Sequence, residues 1–146
     1  MNLKSNHEED ESDRVQVIGT FRFDTCPGTV VVLRSSKESS LRTYLKRIYG
    51  FSEAEALRLV DEASSPSSAK TMIMHTNRGL YIYVWIQEDI EGPDLVQTIS
   101  HETHHIVSAV LRIVDSNIDK ANSTNEELIA GLVGYTAGKI AYLLGD

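Results

Sequence analysis

Cysteine is almost missing from this sequence. Cys26 stands alone, so no intrachain disulfide can form, and the composition is compatible with a reducing compartment. It precedes Pro27-Gly28 in a turn-like stretch that offers nothing to activate a thiol, so a thiol nucleophile is not expected. No apolar run approaches the ~20 residues that a membrane span requires. The first residues also lack the apolar segment of a secretory leader. There is no internal repeat. These absences lead to the expectation of a cytoplasmic protein with no membrane partner. Basic residues are in deficit, 14 Lys and Arg against 21 Asp and Glu, for a formal charge of −7. That balance argues against a nucleic-acid-binding surface as the main function.

What is present fits one ordinary globular domain: 146 residues, of which 41% are hydrophobic and 24% charged, enough to bury a core without staples. Part of the acidic excess is local. His7-Glu8-Glu9-Asp10-Glu11-Ser12-Asp13 reads as a solvated run, and residues 1–14 are expected to form a disordered acidic tail ahead of a domain spanning 15–146.

Periodicity then lays out the domain. Val15–Asp24 and Thr29–Ser35 read as a strand pair turned at Thr25-Cys26-Pro27-Gly28. Gly19 marks a bulge or bend in the first strand. The unbroken apolar run Val30–Leu33 suits a strand covered on both faces. A helix capped by Ser39 or Ser40 carries Leu41, Tyr44, Leu45 and Ile48 and stops at Gly50. Ser52 and Glu55 form a capping box for a second helix. The Ser64–Ser68 stretch is a loop. A second hairpin pairs Thr71–His75 with Leu80–Gln87 around Asn77-Arg78-Gly79. Gly92-Pro93 opens a long helix to about Val114, and a last helix runs from near Thr124 to about Leu144. The order ββ-αα-ββ-αα predicts an α+β fold, with a small antiparallel or mixed sheet packed on helices.

Chemistry concentrates in His101-Glu102-Thr103-His104-His105, an H-E-x-x-H match on a stretch that the periodicity independently makes helical. Residues four apart share a helix face, so two imidazoles can meet one ion. Zinc takes such nitrogens at ~2.0–2.1 Å. Glu102, next to the first ligand, is suited to act as general base toward zinc-activated water. Advancing ~100° per residue from His101 puts Leu95, Ile99, Ile106, Val110 and Ile113 on the far side. Thr98, His105, Ser108 and Arg112 share the near side, so the two histidines face a groove or solvent. The competing reading is a pair of surface histidines on an amphipathic helix. His104 points elsewhere and could compete for metal.

A catalytic zinc calls for a third protein ligand. Glu126 and Glu127 are the candidates, although Ser123-x-x-Glu126 and Thr124-x-x-Glu127 also read as capping boxes. Glu127 is favoured, because it ends a stripe with Gly131, Gly134 and Gly138 that suits close backbone approach or the border of a cleft. Tyr135 and His75 are weaker candidates to stabilise an oxyanion.

Thr98–Leu111 followed by Asn125–Tyr135 resembles the zincin metallopeptidases of the gluzincin type, and more narrowly the small zincin-like proteins of phages and bacteria. The resemblance covers roughly the last 70 residues. It implies a minimal zincin-like core, a Zn2+ cofactor on His101, His105 and Glu127, and Glu102 as base. It also implies hydrolysis of a peptide or protein substrate, with Tyr81–Gln87 as the edge strand along which an extended peptide lies. Ser108 and Leu111 stand where metzincins carry a glycine and a third histidine, which excludes that subtype. Gly131 stands where some gluzincins carry a second carboxylate. A non-catalytic zincin-like binding or inhibitor protein, with structural metal or none, is the alternative. A zinc hydrolase acting on another amide or an ester is a third reading.

Overall fold

The computed structural model describes residues 14–24, 26, 28–62, 68–114 and 123–145. The expected acidic tail, apart from Arg14, lies outside them. The elements run β1 (Gln16–Arg22), β2 (Thr29–Ser35), α1 (Glu38–Tyr49), α2 (Glu53–Glu62), β3 (Ala69–Thr76), β4 (Gly79–Gln87), α3 (Gly92–Val114) and α4 (Ser123–Leu143). Element order and the α+β class agree with the periodicity.

The four strands form one mixed sheet in the order β1-β2-β4-β3. Both expected hairpins are present as antiparallel pairs, β1 with β2 and β3 with β4. They are joined through a parallel β2–β4 ladder from Thr29↔Tyr81 to Ser35↔Gln87. Alternation along the two central strands then divides the interior (period two in a strand). Val30, Val32, Ile82, Val84 and Ile86 face α3 and α4, whereas Val31, Leu33, Tyr83 and Trp85 face α1 and α2. The continuous apolar run of β2 is thus explained by helices on both faces of the sheet. α3 packs on β3 and β4, and α4 packs on α3 and over β1.

β4 is not an edge strand. It lies between β2 and β3, with Ile82 through Ile86 buried, and the sheet edges are β1 and β3. Six consecutive aromatic or β-branched residues at Tyr81–Ile86 signal a strand but do not say where it sits in the sheet.

Local chemistry sets the boundaries. The register slips between Val17 and Gly19, the expected bulge. A Cβ on Gly19 would stand 2.6 Å from Leu143 Cδ2, so the bulge also seats the end of α4. Gly50 closes α1 at φ 69°, with its N–H donating to the Lys46 carbonyl. The N-cap of α1 is Lys37, and no side chain caps it. Ser39 and Ser40 fall inside the helix, which corrects the expected cap. Ser35 lies outside that helix: its hydroxyl donates to the Lys37 carbonyl and accepts from the buried Trp85 indole N–H at 2.8 Å. The capping box of α2 is complete, with Glu55 N–H donating to Ser52 Oγ at 3.1 Å and Ser52 N–H donating to Glu55 Oε1 at 2.8 Å.

Ser52→Ala should therefore destabilise the protein by about 1 kcal/mol in urea unfolding, and Ser52→Gly by only a few tenths.

Candidate metal centre

α3 is an amphipathic helix with one irregularity. Leu95, Ile99, Ile106 and Val110 form a buried stripe at helical spacing. Glu102 falls within that stripe, between Ile99 and Ile106, and is 1% exposed. A carboxylate in such a place is costly without a partner. Its partner is Thr71, whose hydroxyl donates to Glu102 Oε1 at 2.5 Å. Thr71 sits on β3 and, by alternation with Ala69 and Ile73, presents its side chain to α3. The edge strand and the helix are thereby joined by a buried polar contact in an otherwise apolar interface.

One step around the helix from Glu102, the polar flank begins. His101 is exposed and His105 is half-buried. Their Nε2 atoms are 3.1 Å apart, with ring centroids at 4.8 Å and planes at 78°. Two nitrogens at ~2.0–2.1 Å from one tetrahedral ion would stand about 3.3 Å apart. The pair is therefore already close to the spacing of two ligands on one zinc. As a hydrogen bond, the same contact needs one ring to donate and the other to accept, so two imidazolium rings cannot share it. Beside the pair is a groove of about 300 Å³, lined by Ser68, Ala69, Gln97, Thr98, His101 and Glu102. One histidine of the pair, the buried carboxylate and the start of the edge strand thus border the same space.

The other expected site residues are placed elsewhere. Glu126 and Glu127 are exposed in the first turns of α4. Among the described residues, no third His, Cys, Asp or Glu joins His101 and His105 in a group that could hold a metal. The geometry is consistent with this. The histidine groove opens on the β3 side of α3, whereas α4 covers β1. A Cβ on Gly131, Gly134 or Gly138 would meet nothing within 4 Å, so the glycine stripe faces open space and not a neighbouring backbone. Tyr135 donates its hydroxyl to the Arg22 carbonyl at 2.7 Å and packs against Phe21 and Phe23. It is committed to holding α4 on β1. His75 is exposed near the far end of β3, six residues and ~20 Å of strand from Ala69. His104 is exposed, its ring 6.2 Å from that of His105. Ile113, expected on the apolar side, is 39% exposed.

The residue that sequence reasoning missed is Thr71. Its signal was the polar side chain in a strand that otherwise directs Ala69 and Ile73 inward.

Thr71→Val keeps the shape of the side chain and removes the donor, which leaves the Glu102 carboxylate buried and unsatisfied. The expected cost is about 1–3 kcal/mol in denaturant unfolding. Thr71→Ser, which retains the hydroxyl, should cost less.

No protein-family model, no curated protein and no solved structure matches this chain.

Proposed function

We propose that this protein is a zinc-dependent hydrolase of the HExxH type, most simply a metallopeptidase built on a minimal zincin-like core. The observation that carries the reading is the approach of His101 and His105 Nε2 to 3.1 Å beside a groove bordered by the buried Glu102 carboxylate. His101 and His105 are the residues that would hold the ion. Zinc, when bound, lowers the pKa of water towards ~7 and polarises a scissile carbonyl.

The chain's own residues do the rest. Thr71 occupies Glu102 Oε1 and fixes the plane of the carboxyl. Oε2 is then the oxygen to take a proton from water and return it to a leaving amine. The surrounding apolar stripe and the neighbouring strand restrict water around that carboxylate, which strengthens its electrostatic effect on a bound substrate. β3, the edge strand next to the groove, replaces Tyr81–Gln87 as the segment along which an extended peptide would pair.

Glu127 is the sequence's candidate for the third ligand, but its side chain is not gathered with the histidine pair. That observation favours one second reading, a non-catalytic interaction module in which the pair and the Glu102–Thr71 contact are structural.

Metal analysis after mild purification should find about one zinc per chain, lost in His101→Ala and in His105→Ala. Glu102→Gln should retain zinc and lose peptidase activity by ~10²-fold or more. Absence of zinc from the wild type removes the hydrolase reading. Metal affinity of Glu127→Ala should stay within about twofold of wild type, and a larger loss would restore Glu127 as a ligand. Chelation separates the two readings: a catalytic ion leaves with activity and little loss of fold, whereas a structural ion unfolds the domain on leaving.

A further inference from the structure

The opposite face of the sheet holds a second and larger concavity, of about 520 Å³, within the ~300–1,000 Å³ typical of small-molecule sites. Its walls are aromatic. Tyr81 and Tyr83 are two apart on β4 and so project to the same face, while Tyr44 and Tyr49 descend from the last turns of α1. Thr76, at the end of β3, and Arg78, in the turn that follows, form the rim. The cavity lies on the α1 side of the sheet, near the hairpin end of β3, away from the Ser68–Ala69 end that borders the histidine groove.

Three properties set this cavity apart from a cluster that merely packs. First, the rings do not fill it. Tyr81 and Tyr83 are near-parallel at 6.5 Å between centroids, and Tyr44 and Tyr49 stand edge-on to Tyr83 at 73° and 90°. Tyr83 is buried beneath the other three, so the half-buried rings of Tyr44, Tyr49 and Tyr81 are the ones left to meet an occupant.

Second, the hydroxyls retain donor capacity. Tyr49 and Tyr83 share a hydrogen bond of 2.7 Å in which one donates, so the accepting phenol keeps its own proton for another acceptor. Burial, foremost, holds both phenols above the usual tyrosine value, so both stay protonated at neutral pH.

Third, Arg78 is the charged residue among the described lining side chains. Its guanidinium makes no hydrogen bond or ion pair among the described residues. The chain as a whole carries −7, but at physiological salt charges beyond ~8 Å are largely screened. The local cation therefore governs what enters.

We propose that this cavity binds a small molecule combining a planar ring with one carboxylate or phosphate group. The ring packs among the tyrosines, a phenol donates to it, and Arg78 pairs with the anion through its planar fork. The proposal is independent of the metal centre.

Phenyl phosphate and benzoate, titrated in parallel into the full chain and followed by NMR of the tyrosine ring signals, test it and distinguish the two anions. At least one should give saturable shifts at Tyr44, Tyr49, Tyr81 and Tyr83 in the millimolar range or below, with phenol binding more weakly. Arg78→Ala should weaken that probe by about tenfold and leave phenol unchanged, and Arg78→Lys should recover part of the loss. Arg78 is exposed in a turn whose Arg78 N–H to Thr76 Oγ1 bond is made by the backbone, so the variants keep the fold. Shifts that do not saturate for either probe, or binding that Arg78→Ala does not change, would overturn the proposal. So would inorganic phosphate alone perturbing the same rings as strongly.

Discussion

The site depends on one buried carboxylate. Glu102 interrupts the apolar stripe by which α3 holds the sheet, and its desolvation is offset by a single hydroxyl, Thr71, from the edge strand. Helix and strand must therefore meet in one register for the carboxyl to be satisfied. That register also decides what lies beside it. With Glu102 turned towards β3, His101 and His105 fall on the outer flank of α3, and His101 borders the groove with Ser68 and Ala69 at the start of the edge strand. The position of the carboxylate beside the edge strand is held by that contact, while the spacing of the imidazoles follows from their four-residue separation on α3.

The two faces of the sheet carry different chemistry for a reason visible in β4. Its even-numbered residues Ile82, Val84 and Ile86 are aliphatic and close-packed under α3 and α4. Its odd-numbered residues Tyr81, Tyr83 and Trp85 are aromatic and face α1 and α2. Trp85 is fully buried and satisfied by Ser35. The two tyrosines, nearer the hairpin, meet Tyr44 and Tyr49 of α1 and line the concavity that Arg78 borders. Alternation along a single strand thus puts an aliphatic core under the helix that carries His101 and His105 and an aromatic pocket on the other face.

Much of this was legible from residues alone, and the limits are physical. Strong punctuation located the elements: Gly50 in the left-handed conformation, the Ser52–Glu55 box and Pro93 at a helix start each act within one turn of chain. Helical periodicity placed His101 and His105 outside the apolar stripe. The same wheel puts Glu102 at the edge of that stripe, between Leu95 and Ala109. Strand order was not readable. The parallel β2–β4 ladder pairs residues more than fifty positions apart, and nothing local marks β4 as central or β3 as the edge. The glycine stripe on α4 does not mark a close backbone approach, the first of the two readings it allowed. Small residues permit close approach without requiring it, and here they face open space. The preference for Glu127 rests on that stripe, and among the described residues Glu127 does not join the histidines in a group that could hold a metal.

The most direct measurement is anomalous scattering at the zinc edge from crystals grown with zinc. The account predicts a single strong peak about 2.0–2.1 Å from Nε2 of both His101 and His105, on the side of the groove bordered by Glu102. A peak bound to only one of the two rings, or none near either while zinc is present in solution, would contradict it.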